Sequence, residues 1–152
     1  MPTTIDRDTS TIHFEREIAA TRTQVFDAWT NADQVANWWD PTGARLVACE
    51  IELKPGGAFR FVNEGHGPPF TGTYVVIERP SRLVFEALGS VGTVTLEAQG
   101  NVTRMSVTIR CASQEHFEHF IRLGVASGTD QTLDNLVHYL GTKTPAVQAV
   151  SP

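Results

Sequence analysis

The spacing of apolar residues changes period along this chain, and each change marks an element. Ile12, Phe14, Arg16 and Ile18 alternate with His13, Glu15 and Glu17, and a two-residue period of this kind predicts a half-buried strand. The ten residues before it are polar and non-periodic and read as a frayed lead. Thr21-Arg22-Thr23-Gln24 has the form of a capping box ahead of Val25, Phe26 and Trp29, which share one helical face. A short helix to about Thr30 follows. Asn31 or Asp33 then caps a second helix carrying Val35, Trp38 and Trp39, which Pro41 and Gly43 end.

From Arg45 the period returns to two. Val47, Cys49, Ile51 and Leu53 alternate with Ala48, Glu50 and Glu52, and Phe59 and Phe61 lead another strand after the Pro55-Gly56-Gly57 turn. Beyond a loop at 64–69, the segments 74–78, 83–88, 91–98 and 102–110 supply four more strands. Connections this short force antiparallel neighbours. Ser113 then caps one long helix. Phe117, Phe120, Ile121 and Val125 lie in its first half, and Leu133, Leu136, Val137 and Leu140 fall at i, i+3, i+4, i+7 in its second, with Gly141 as C-cap. Gly124 and Gly128, four residues apart, anticipate a close approach by a ligand, by the sheet's aromatics or by a second subunit.

A one-sided antiparallel sheet needs its apolar face covered, and only the last helix is long enough to cover it. The expected fold is therefore α+β, with a curved antiparallel sheet of about seven strands around a long C-terminal helix and two short helices after the first strand. Residues 11–141 form the expected domain, with flexible tails at 1–10 and 142–152. A cavity between sheet and helix follows from this geometry.

Several of these residues carry a resemblance. Val25-Phe26-x-Ala28-Trp29-Thr30, Trp38-Trp39-x-Pro41, Pro55-Gly56-Gly57, Gly72-x-Tyr74 and Pro80-x-Arg82-Leu83-Val84-Phe85 resemble the SRPBCC superfamily. Within it they are most similar to the group of homologues of the activator of heat-shock-protein-90 ATPase. The resemblance spans roughly Thr11 to Leu140. It implies the helix-grip fold, also called START-like or Bet v 1-like, whose cavity holds apolar or amphipathic small molecules. It implies chaperone partnership only for eukaryotic members, which carry an additional domain.

Bulk composition narrows the function classes. The chain has 152 residues, is 41% hydrophobic and carries a net charge of −5 from 12 basic and 17 acidic residues. Without a concentrated basic footprint, neither nucleic acid nor an anionic membrane surface is an expected partner. Cys49 and Cys111 stand far apart, which suggests neither a disulfide framework nor a zinc site. The first residues lack the basic-then-apolar layout of a signal peptide, so a cytoplasmic location is expected.

The residues expected to line the cavity are Trp38, Trp39, Phe59, Phe61, Tyr74, Glu86, Phe117 and Ile121. Adjacent helical positions diverge, so one of Trp38 and Trp39 packs inward while the other lines the entrance. Glu50, Glu52 and Arg60 oppose apolar neighbours and read as outward-facing, whereas Glu86 shares its face with Val84 and Leu88 and stays ambiguous. His66 reads as an exposed loop histidine, and His116 and His119 as a solvated helix face. No catalytic constellation, metal site or cofactor motif is recognised. The expected function is therefore binding of a small hydrophobic molecule. A cyclase-, dehydratase- or hydrolase-like enzyme using Glu50, Glu86, Tyr74 and His66 is the alternative, followed by a chaperone-linked or self-associating (homodimeric) interaction domain.

Overall fold

The computed structural model describes residues 3–65 and 69–142. Tight turns joining alternating segments produce, among these residues, eight strands and four helices. The strands are β1 (Thr3–Asp6), β2 (Thr11–Ile18), β3 (Ala48–Ile51), β4 (Ala58–Val62), β5 (Phe70–Glu78), β6 (Arg82–Ala87), β7 (Ser90–Gln99) and β8 (Val102–Cys111). The helices are α1 (Arg22–Thr30), α2 (Ala32–Trp38), α3 (Gln114–Arg122) and α4 (Val125–Thr142). All strands belong to one antiparallel sheet in the order β1-β2-β8-β7-β6-β5-β4-β3. α4 crosses its concave face against β2, α1, α2 and α3. This is the α+β helix-grip architecture.

Local signals act where the sequence puts them. Thr21 Oγ1 accepts from Gln24 N at 3.1 Å while Gln24 Oε1 accepts from Thr21 N at 2.8 Å, closing the capping box of α1. Asn31 ends α1 and caps α2 with its side chain. Ser113 caps α3 through His116 N at 3.1 Å.

Four features depart from the sequence pattern. The expected frayed lead contains β1, which pairs from Thr3↔Phe14 to Asp6↔Thr11, so the sheet has eight strands rather than about seven. Its residues are mostly polar because most of the strand meets water at the edge of the sheet. The single C-terminal helix is instead two, broken where Gly124 takes φ +78°, a left-handed conformation that glycine adopts freely and that ends α3. Gly141 lies within α4 rather than capping it, and the remainder of the expected tail falls outside the described residues. Val47 and Leu53 flank the short edge strand β3 and are exposed instead of inward-facing.

One charged residue sits where the alternation puts an apolar one. Arg16 faces inward with Phe14 and Ile18, and its side chain is only 8% exposed. Its Nη2 donates to Asp130 Oδ1 at 2.8 Å, its Nε to Asp134 Oδ1 at 3.0 Å and its Nη1 to Glu15 O at 2.8 Å. Thr3 Oγ1 donates to the same Asp130 oxygen. A buried guanidinium is tolerable only when its donors are met, and α4 meets them with carboxylates one turn apart. Those carboxylates keep contact with water, so they rehydrate if the arginine is lost. Arg16→Ala is expected to destabilise the fold by about 1–3 kcal/mol, and Arg16→Met, which restores apolar packing, by less than half of that. Urea denaturation of the three proteins measures the order.

Candidate functional site

The interior divides into a packed aromatic end and an open one. At the packed end, Trp29 and Trp38 meet edge-on with ring centroids 4.9 Å apart, Trp39 meets Phe61 at 4.9 Å, and Phe59 meets Tyr74 at 5.2 Å. Such tilted and edge-to-face contacts are the favoured geometries of aromatic pairs. Trp38 Nε1 donates to Ala28 O at 3.0 Å, so its buried polar atom is met. The space left among these rings is about 10 Å³, room for no more than a single water.

Two strand glycines make this packing possible. Phe59 pairs in register with Gly72, and Phe85 with Gly92. Each ring lies over its partner glycine, where an added methyl would collide with it. The glycines thus let both rings lie flat against the sheet.

Beyond Trp39, Phe70 and Phe85 the sheet and helices separate, enclosing a cavity of about 330 Å³. Phe85, Val107 and Ile109 form its sheet wall, and Phe120, Val125 and Leu133 its helix wall. Gly128 also faces it, and a methyl group added there meets no atom within 4 Å, so this glycine leaves volume open rather than admitting a close neighbour. Pro41 and Leu88 add to the apolar lining, and Asn63, Ser90, Thr129 and Thr132 are its polar members, so the wall is mainly apolar. No Asp, Glu, Lys, Arg or His side chain lines it among the described residues. The size lies at the lower end of the usual range for small-molecule sites.

A polar network fixes one side of this cavity. Asp40, 7% exposed, follows the C-terminus of α2. Its Oδ1 accepts from Thr42 N at 2.8 Å and Thr42 Oγ1 at 2.7 Å, and its Oδ2 from Asn63 Nδ2 at 2.8 Å. Asn135 Nδ2 donates to Asp40 O at 2.9 Å and Thr132 Oγ1 to Trp39 O at 3.0 Å, which ties α4 to the same loop. Burial acts to raise the Asp40 pKa, but the hydrogen bonds from Asn63 and Thr42 outweigh it and hold the carboxyl below its ordinary value.

The residues singled out from sequence fall in different places. Trp39 lines the cavity, half-buried, while Trp38 is 1% exposed inside the aromatic pack. Phe59, Phe61 and Tyr74 border only the small void. Phe117 is fully buried in the core, and Ile121 packs against that core without reaching the cavity. Glu86 is exposed: Phe85 and Ala87 take the inner face, which sends the residue between them outward. Glu50 is also exposed, 3.6 Å from Arg60, and His66 lies outside the described residues. His116 is not fully solvated, since its ring packs at 4.5 Å from Phe120 and its buried Nε2 has no hydrogen-bond partner among the described residues.

Two groups of the interior, buried Tyr74 and half-buried Cys49, are chemically quiet. Burial pushes the Tyr74 hydroxyl pKa well up, with Cys49 adding to the effect. The Cys49 thiol is itself pushed up to about 11, chiefly by burial and then by Asp33. Neither is ionised near neutral pH, and a thiol in that form is a poor nucleophile. Sequence reasoning named Gly128 as a point of close approach but did not single out Phe70, Phe85 or Phe120 as cavity residues; for Phe85 the available signal was its inward parity with Ala87, opposite Glu86.

Enclosure of space between a curved sheet and a covering helix defines a class of protein suited to holding ligands. The family model described as Activator of Hsp90 ATPase homolog 1-like protein matches residues 19–141, and the chain belongs to that family. Among solved structures it is similar to a Mycobacterium smegmatis protein with a TM-score of 0.82 at 18% identity, over 94% of this chain and 98% of that one. It is also similar to an Arthrobacter aurescens protein (TM-score 0.82, 21% identity, 93% and 91% covered). A Rhodobacter sphaeroides protein gives a TM-score of 0.78 at 24% identity, with 87% and 92% covered. Likenesses at this identity show a shared fold. No curated protein matches the chain. Among the described residues no helix is long and apolar enough to cross a membrane.

The Asp40 network predicts a pH dependence with a definite sign. In the unfolded chain this carboxyl titrates near pH 4, and in the folded protein it titrates lower. Its contribution is therefore fully present above about pH 4 and is lost as pH falls through the folded value. Thermal unfolding of the wild type and Asp40→Asn from pH 7 to pH 3 checks this, the wild type's advantage being expected to shrink only at the acid end.

Proposed function

We propose that this protein binds a small, neutral, predominantly apolar molecule in the cavity between the sheet and α4. The observation that carries this reading is a cavity of about 330 Å³ with a mainly apolar lining and, among the described residues, no ionisable side chain on its wall. A charged ligand would lose its hydration there without a partner, a cost too large for a site of this kind to offset. A neutral apolar one would gain from leaving water.

The polar groups of the lining also favour holding over reacting. Thr132 donates to Trp39 O, Ser90 Oγ to Ala87 O at 2.8 Å, and Asn63 to Asp40, which leaves the Thr129 hydroxyl as the remaining polar side chain of the wall. General acid–base chemistry needs a titratable group within reach of the substrate. Glu50 and Glu86 face outward and Tyr74 is sealed in the aromatic pack, so the constellation an enzyme would need is not assembled from them. The fold of the family is consistent with ligand binding in general terms.

N-phenyl-1-naphthylamine, a neutral apolar fluorophore, tests the reading. One binding site per chain is expected, with enhanced fluorescence. Gly128→Leu should fill the open volume and weaken binding by roughly tenfold or more. The same substitution should leave stability equal or raise it by up to about 1 kcal/mol, since a glycine leaves a helix interior. Unchanged probe affinity in Gly128→Leu contradicts the assignment to this cavity.

A further inference from the structure

The turn between β6 and β7 contains a residue that the fold alone would not choose. Ala87 pairs with Ser90, leaving Leu88 and Gly89 as a two-residue hairpin loop with φ of +55° and +75°. Positive φ at both positions is the geometry for which Asn-Gly is the favoured sequence, because side chains other than asparagine, aspartate and glycine are strained there. Gly89 suits its position twice over, since an added methyl would come within 3.0 Å of His116 Cε1 on α3. Leu88 suits it in neither respect. Its backbone is strained, and the residue is 61% exposed, so little burial offsets that strain.

Leu88 nevertheless lines the cavity, at the rim where the hairpin meets α3. Phe85 and Ala87 of the same hairpin continue the wall inward, and Phe120 of α3 faces them. The hairpin tip is well anchored, with Ser90 Oγ donating back to Ala87 O across it. The strained leucine is thus held in a defined place.

We propose that Leu88 is the ligand-contacting residue at the mouth of the cavity, its isobutyl group supplying the apolar surface against which the outer end of a bound molecule is buried. This rests on the ligand-binding reading above. It explains why an exposed leucine occupies a left-handed position: the contact it lacks in the free protein is the one the ligand makes. The site therefore favours ligands long enough to reach from Leu133 to the rim over ones that fill only the inner part.

Strain and contact predict effects of opposite sign, which separates this role from a structural one. Leu88→Asn and Leu88→Gly both suit the turn, and each is expected to raise Tm by about 2–4 °C. Both should weaken binding of N-phenyl-1-naphthylamine about five- to tenfold, the loss expected for one or two methylenes' worth of buried apolar surface. Leu88→Met, which keeps the apolar reach, should bind within about twofold of the wild type. Probe affinity unchanged in Leu88→Asn and Leu88→Gly overturns the proposal while leaving the cavity assignment standing. A fall in Tm and affinity together also overturns it, since that marks a structural role. A wild type that binds no probe overturns the ligand-binding reading itself.

Discussion

α4 is held over the sheet by hydrogen bonds of fixed length on both of its flanks. Arg16 grips Asp130 and Asp134 on one side, at 2.8 and 3.0 Å, and Thr132 and Asn135 reach the backbone of Trp39 and Asp40 on the other, at 3.0 and 2.9 Å. Apolar attraction has no preferred direction and favours close packing, so a helix held by it alone would settle against the sheet. Directional contacts at both flanks resist that settling. Gly128, Thr129 and Leu133 then face a space that is not filled.

The aromatic end supplies the other half of the constraint. Rings from Trp29 to Tyr74 close one end of the sheet almost solidly, with Gly72 and Gly92 letting Phe59 and Phe85 lie flat. The register shift between Tyr74 and Val76 bends β5 at this end. Packed aromatics on one side and a pinned helix on the other leave the volume concentrated beside Phe85, Phe120 and Leu133. Trp39 borders both regions and marks the boundary between fold and site.

Legibility in the sequence followed the range of the interaction. The capping box of Thr21 and Gln24 was readable because both partners lie within four residues, and the same short range narrowed the cap of α2 to Asn31 or Asp33, of which Asn31 caps it. The strand alternation and the coverage of one sheet face were readable from periodicity. β1 was not, since its polar residues become a strand only by pairing with β2. Gly124 stood out in the sequence only as a point of close approach, because its left-handed backbone, which divides the helix, follows from no local pattern. Glu86 stayed ambiguous because Leu88, counted with its face, belongs to a turn with φ +55° and breaks the alternation. The position of the cavity was the least legible feature, for it depends on contacts such as Arg16 to Asp130, 114 residues apart.

Native mass spectrometry of the protein purified from its own source organism tests the central claim most directly, that the pinned helix preserves a cavity for a neutral apolar guest. The account predicts one neutral organic molecule retained per chain under gentle ionisation and released on collisional activation. A chain seen only at its bare mass, or one retaining a charged ligand, contradicts it.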